Sequence, residues 1–244
     1  KPLLAYTLKT FQKCNAIDAI TIVTKEENKA EAQNLVETYA LSKVKQIING
    51  GKERQDSVYC GLQALAQYAH PEDYVVIHNS SNIFVKESEI KSCCEAAHET
   101  GAAVVGWKVK DTLKKSSENN GTEYTENTIS REGLWQVQTP QVLRYEIAVR
   151  AFEQAKKEHF YGTDDVQLVE RIGTKVKLVE CSTENFKITT PKDLEFAEKL
   201  LRVQNCRTDY RTGFGHDSHR FSEISKPLIL GGVIIQNHKG LEAN

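Results

Sequence analysis

From residue 2 to residue 201 the sequence alternates between stretches with apolar residues at helical spacing and short runs of β-branched and apolar residues. That alternation leaves few folds open. Leu3, Leu4, Leu8 and Phe11 share one face of a helix predicted over 2–14, and Ala19, Ile20, Thr21, Ile22, Val23 and Thr24 read as a buried strand. The cycle continues with a helix over 28–41, a strand over 45–48, a helix over 55–68 that turns Val58, Leu62 and Leu65 inward, and a strand over 74–78. A helix over 87–98 and a strand over 102–108 complete another round. Strands that are apolar along their whole length suit a parallel sheet with helices on both faces. The expectation is a doubly wound α/β sheet with right-handed crossovers and with ligands at the carboxyl ends of its strands.

Residues 114–128 (KKSSENNGTEYTENT) break the cycle, being polar throughout, and Asn120-Gly121 suits a type I′ turn, so a β-hairpin arm is predicted to leave the main sheet. Helices over 145–159 and 164–172, a strand over 175–179 and a helix over 191–201 close the domain. Thr190 is placed to cap that last helix, with Pro191 in its first turn. Residues 202–210 read as a linker. From Arg211 the chain becomes Gly-rich and extended (RTGFGHDSHRF, then PLILGGVIIQ), and residues 211–244 read as the start of a second, α+β unit too short to bury a core of its own. The absence of methionine suggests that a segment precedes Lys1.

Composition narrows the function. Lys and Arg number 32 against 33 Asp and Glu, a net charge of −1 that gives no general attraction to nucleic acid or to an anionic membrane. No apolar run approaches the roughly 18 residues of a membrane helix, and the start KPLLAYTLKTF lacks the apolar core of a signal peptide. A cytoplasmic protein that handles small molecules is expected. Cys14, Cys60, Cys93, Cys94, Cys181 and Cys206 form no CxxC pair and read as small buried hydrophobes in a reducing compartment.

Several loops carry groups suited to phosphate chemistry. Gly50-Gly51-Lys52-Glu53-Arg54-Gln55-Asp56-Ser57 lies between a strand and a helix, where backbone amides, the Arg54 guanidinium and the Ser57 hydroxyl could cradle an anion. The same residues are equally a tight turn before a capped helix. His78-Asn79-Ser80-Ser81-Asn82 follows the strongest strand, where a ligand would sit, and could as well be an Asx-type turn. Thr112 ends a strand, and Arg131 lies eight residues before Thr139-Pro140-Gln141. Gly162-Thr163-Asp164-Asp165 opens a helix, its acids suited to capping, and Lys187 stands between apolar neighbours ahead of another helix.

Taken in order, GGxxRxxSVxxGL, HNSSN, DT, RxxLWxxQTPQ, GTDD and NFKITTPKDL resemble the 2-C-methyl-D-erythritol 4-phosphate cytidylyltransferase family across essentially residues 1–201. The resemblance implies a Rossmann-like nucleotidyltransferase sheet whose protruding β-arm helps to form a homodimer. It implies transfer of a cytidylyl group from CTP to a methylerythritol phosphate, with Mg²⁺ and release of pyrophosphate, in non-mevalonate isoprenoid synthesis. Carried over residue by residue, Gly50, Gly51, Arg54, Ser57, Asn79 and Ser80 would hold the nucleotide. Asn82, Thr112, Arg131, Thr139 and Thr163 would hold the sugar phosphate, and Lys187, with Arg131, would stabilise charge as the substrate phosphate attacks. Such a reaction depends on positioning and electrostatics rather than on a nucleophilic triad.

The chain departs from the family pattern in three places. It begins just after the Gly-rich loop with which the family opens. The family's HDAARPF is HNSSNIF here, so Asn79 stands for a metal-binding carboxylate and Asn82 for an arginine. An amide oxygen at Asn79 could still ligate Mg²⁺, without charge. Residues 211–244 resemble the start of 2-C-methyl-D-erythritol 2,4-cyclodiphosphate synthase, a phosphorus–oxygen lyase, in which the matching Asp217 and His219 would bind Zn²⁺ or a similar divalent metal. The two resemblances together suggest a bifunctional enzyme. A cytidylyltransferase for another polyol phosphate such as ribitol 5-phosphate, and a catalytically silent dimerising scaffold, remain alternatives.

Overall fold

The computed structural model describes residues 2–206, 220–230 and 233–242. The chain divides into two compact units, 1–195 and 196–244. The first contains helices α1 (Leu3–Lys13), α2 (Lys29–Thr38), α3 (Arg54–Leu65), α4 (Glu87–Thr100), α5 (Tyr145–Lys157) and α6 (Asp165–Arg171). Its strands are β1 (Ile20–Thr24), β2 (Val44–Asn49), β3 (Tyr74–Ile77), β4 (Ala102–Lys108), β5 (Leu113–Asn119), β6 (Thr122–Ile129), β7 (Trp135–Arg144) and β8 (Lys177–Glu180). Helix α7 (Pro191–Cys206) runs across the boundary, and the second unit adds the antiparallel pair β9 (Pro227–Leu230) and β10 (Val233–Lys239). No helix among the described residues is long and apolar enough to cross a membrane.

The α/β architecture follows from β4, whose residues Ala102 to Val105 are all buried. Alternate residues of a strand point to opposite faces. Ala102 and Val104 therefore join one cluster with Leu62, Leu143, Ala148, Phe152 and Val169, whereas Ala103 and Val105 join another with Cys93, Ala96, Ala97 and Val142. Helices α3, α5 and α6 thus cover one face, and α4 covers the other. Cys14, Cys93 and Cys181 are buried free thiols, and burial pushes the Cys181 thiol up to about 12.

The sheet is mixed where the sequence suggests a parallel one. Its order is β3-β7-β4-β8, with β4 and β8 parallel and β7 antiparallel to both neighbours. Strand β7, ten residues long, lies where the sequence pattern predicts no strand. Its Gln136, Gln138 and Gln141 interrupt the apolar run, and Pro140 argues against a central strand. Pro140 is accommodated because β3 pairs only as far as Gln141, while the β4 ladder jumps from Val104↔Gln141 to Gly106↔Val137. No ladder hydrogen bond is required from the position that cannot donate one. β1 and β2 form a separate parallel pair.

Local signals elsewhere act as the sequence suggests. Asn120 and Gly121 both take positive φ (50° and 76°), turning the chain between β5 and β6 into the expected two-stranded arm. Thr190 Oγ1 accepts from Asp193 N at 3.2 Å, while Asp193 Oδ2 accepts from Thr189 N at 2.9 Å and Thr190 N at 2.8 Å, a reciprocal box at the start of α7.

A Cβ at Gly106 would lie 2.6 Å from the Gln136 carbonyl oxygen, so the β4–β7 crossing depends on glycine. Gly106→Ala is expected to lower unfolding free energy by about 1–3 kcal/mol through forced strand separation, measured by urea denaturation; an unchanged midpoint would mean that the strands yield freely.

Candidate functional site

The carboxyl ends of β2, β3 and β8 lead into the loops 50–53, 78–86 and 181–190, and these meet the start of α6 and the middle of β7. Arg54, the first residue of α3, is the hub. Its two terminal nitrogens donate to Asp165 Oδ1 at 2.9 Å and Oδ2 at 2.6 Å, and Nε donates to Asn79 Oδ1 at 3.3 Å. Asn79 N donates to Thr139 Oγ1 at 3.2 Å, and Asn79 Nδ2 to Asn82 Oδ1 at 3.3 Å. Asn82 Nδ2 donates to Gln138 Oε1 at 3.1 Å and to the Asn185 carbonyl at 2.8 Å, and Asn185 Nδ2 returns a bond to the Thr139 carbonyl at 2.9 Å. Five segments are thereby joined through amides and one ion pair.

Beside this network lies a cleft of about 470 Å³, bordered by residues 52–55 and 161–165. Helix α6 begins there because Asp164 Oδ1 caps Gln167 N at 2.9 Å. Gln141 Oε1 accepts from Asp165 N and Val166 N at 3.0 and 3.1 Å, so the helix terminus is seated on β7. Asp165 is 1% exposed, and loss of water raises its pKa, an effect that the neighbouring Arg54 opposes. Thr163 faces the cleft and is exposed. Lys187 is exposed on the 181–190 loop, between buried Asn185 and Ile188, whose amide donates to the Ser81 carbonyl at 3.1 Å. The Ser80 carbonyl accepts from Thr7 Oγ1 at 2.9 Å.

Several residues occupy roles other than those expected from sequence. Gly50 N donates to the Thr24 carbonyl at 2.8 Å and Gly51 N to Ser57 Oγ at 3.2 Å, so neither amide is open to an anion. The glycines serve close approach, since a Cβ at Gly51 would lie 2.3 Å from Asp56 Cβ and one at Gly50 would lie 2.6 Å from Ser57 Oγ. Asn82 is fully buried and both its N–H donors are taken inside the protein, which leaves it fastening loops rather than facing a substrate. Thr139 is likewise buried, with its hydroxyl accepting from Asn79. Thr112 and Arg131 are exposed at the root of the arm, where Arg131 Nη1 donates to the Lys110 carbonyl, and no described hydrogen bond joins them to the Arg54 network. Asp217 and His219 lie outside the described residues.

Sequence reasoning missed Asp165, Gln141 and Asn185, buried at 1%, 2% and 0% exposure. The available signal was the doubled acid of GTDD, since a helix needs only one of them as its cap.

Asn79 does not fit a metal site. Its amide oxygen already faces the Arg54 cation, and among the described residues no group of three or more His, Cys, Asp or Glu could hold an ion. A hard divalent cation would find there a neutral amide oxygen already bonded to Arg54, and the nearby Asp165 carboxylate is committed to the same guanidinium.

His78 Nε2 donates to the Asn82 carbonyl at 3.1 Å, while Nδ1 is buried without a protein partner. Burial lowers its pKa from 6.5 to about 4. The unfolded chain takes up that proton first, so the contribution of His78 is complete above pH 6.5 and is lost as pH falls towards about 4. Denaturation midpoints between pH 7 and pH 4.5 should decline in the native sequence and decline less in His78→Gln; equal declines would clear this histidine.

Residues 1–203 match the family model described as "IspD: 2-C-methyl-D-erythritol 4-phosphate cytidylyltransferase". The chain is 40% identical over 202 residues to the 2-C-methyl-D-erythritol 4-phosphate cytidylyltransferase of Lysinibacillus sphaericus, covering 83% of this chain and 84% of that protein. It is 37% identical over 243 residues to "Bifunctional enzyme IspD/IspF" of Desulforudis audaxviator, covering 99% of this chain and 58% of that one. Among solved structures, 4-diphosphocytidyl-2C-methyl-D-erythritol synthase from Anaerococcus prevotii superposes with a TM-score of 0.74 at 27% identity, covering 83% of this chain and 86% of that chain. Enzymes of this kind use a divalent metal. With the sequence match spanning the whole first unit and the mixed α/β sheet shared with solved relatives, the chain belongs to the 2-C-methyl-D-erythritol 4-phosphate cytidylyltransferase family.

Proposed function

We propose that the chain transfers the cytidylyl group of CTP to 2-C-methyl-D-erythritol 4-phosphate and releases pyrophosphate. The observation that carries this reading is a cleft of about 470 Å³ lined by Arg54 and Thr163 at the strand ends, with the Lys187 loop tied to the neighbouring 79–82 loop, in a chain of this family. A phosphate oxygen of the acceptor attacks the α-phosphorus of CTP. One P–O bond forms as the bond to the bridging oxygen breaks, and the electron pair leaves with pyrophosphate. A dianionic acceptor phosphate has no proton to surrender, so no general base is needed.

The protein's part is to position groups and to balance charge. Arg54 has committed three of its five N–H donors, which leaves one on each terminal nitrogen for a phosphate of the nucleotide. The Lys187 ammonium stabilises charge gathering on the phosphates during attack. Thr163 offers a hydroxyl to the sugar phosphate, and Thr112 and Arg131 grip the same substrate from the root of the arm. Gly50, Gly51, Ser57 and Ser80 shape the nucleotide loops through the contacts that fix them, and Asn79, Asn82 and Thr139 hold those loops in register. Mg²⁺ carried by CTP would supply further neutralisation of phosphate charge. The arm mediates a homodimer, a reading supported by its exposed Tyr124 and Ile129, at 58% and 41% accessibility.

Residues 211–244 begin a cyclodiphosphate synthase domain, with Asp217 and His219 as ligands for Zn²⁺ or a similar metal; alignment with bifunctional relatives over nearly the whole chain supports this.

The test is pyrophosphate release from CTP and Mg²⁺ with methylerythritol phosphate, ribitol 5-phosphate or no acceptor. Release confined to methylerythritol phosphate is expected. Preference for ribitol 5-phosphate would change the substrate, and CTP binding without turnover would favour a silent scaffold. In the active enzyme Lys187→Ala should lower kcat by about 100-fold or more with an unaltered melting curve; a loss under about threefold would remove it from the mechanism.

A further inference from the structure

Asp165 is an acid with no capping duty, since Asp164 already caps α6. Its backbone N–H is held by Gln141 and its carboxylate lies 1% exposed, so the group has little freedom of its own. Both carboxylate oxygens meet the terminal nitrogens of Arg54 in a planar fork. The Arg54 side chain is 39% exposed, enough for an unrestrained arginine to sample many rotamers. Fixing the two terminal nitrogens also fixes Nε, which then faces Asn79 Oδ1 and, through that residue, the loop that reaches Asn82 and Asn185.

We propose that Asp165 is a positioning residue for the reaction: its buried carboxylate holds the Arg54 guanidinium in the orientation that serves both the 79–82 loop and a nucleotide phosphate in the cleft. The proposal rests on the functional reading above in taking that phosphate to be part of CTP. Without the carboxylate, Arg54 must be ordered each time a nucleotide binds, and the cost appears as weaker binding. The pair separates two jobs: Asp165 supplies geometry and touches no substrate, and Arg54 supplies the donors.

Asp165→Asn, nearly isosteric, removes the charge and one acceptor of the fork. Its Kd for CTP by calorimetry and its KM for CTP should both rise about tenfold, with kcat at saturating CTP nearly unchanged. The double variant Arg54→Ala/Asp165→Asn should bind CTP no more weakly than Arg54→Ala alone, because Asp165 acts only through Arg54. Unchanged affinity in Asp165→Asn, or losses that multiply in the double variant, would overturn the proposal. If Asp165→Asn does not fold, Asp165→Glu keeps the ion pair but displaces the fork by one methylene; native affinity in that variant would overturn the proposal equally. The Arg54 Nε–H signal in a ¹H–¹⁵N spectrum should exchange slowly in the native protein and rapidly in Asp165→Asn. A native protein that binds no CTP would refute the functional reading, and this signal alone would then decide whether Asp165 positions Arg54.

Discussion

A strand with no face open to water governs the rest of the molecule. Residues 102–105 are at most 1% exposed, so β4 needs apolar cover above and below and a hydrogen-bonded neighbour on each edge. Helices α3, α5 and α6 on one side, α4 on the other, and β7 and β8 at the edges supply these. Polar side chains have no place along such a strand. They collect beyond the strand ends, where loops must satisfy their own backbone groups, and the candidate site stands there for that reason.

What holds those loops is mostly uncharged. Asn82 and Asn185 are wholly buried, and each amide nitrogen donates to an oxygen of another segment. A buried amide left without partners costs roughly 1–3 kcal/mol, so the network tolerates one arrangement of the 79–82 and 181–190 loops far better than any other. The charged exceptions are the exposed Lys86–Glu184 pair at 3.3 Å, the Glu89 carboxylate that accepts from Ser182 N at 2.7 Å, and the Arg54–Asp165 pair. The stability value of this last pair is modest, because desolvating the carboxylate opposes the attraction. Its structural value is directional, since a fork fixes a plane where a single hydrogen bond fixes only a distance.

The parts of this design that were legible in the sequence are those set by nearest neighbours along the chain. Helix faces such as Leu3, Leu8 and Phe11, the Asn120-Gly121 turn and the Thr190 cap each depend on a few adjacent residues. β7 was hidden because its partners lie far away, with Leu143 opposite Val75 on one side and Ala102 on the other, and because its glutamines and Pro140 imitate a loop. Arg54 and Lys187 could be picked out from ordered motifs. Asp165 showed only as the spare acid of GTDD, without a role, since the residue that gives it meaning is 111 positions away. Gly50 and Gly51 misled for a related reason: their amides looked available until the loop folded back on Thr24 and Ser57.

Neutral amides at positions 79 and 82 also change how the site meets an anionic ligand. Loop 79–82 contributes no charge, and the charge of Arg54 is largely balanced at a distance by Asp165. Besides that pair, the charged residues bordering the cleft are Lys52, Glu53 and Asp164, so the lining carries no positive excess to draw an anion in from a distance. What matters is contact distance: a lysine is a mobile point charge, whereas the fork with Asp165 fixes the direction of the Arg54 N–H groups. One carboxylate does both things for Arg54: its charge balances the guanidinium, and its buried, forked seat fixes the guanidinium's geometry.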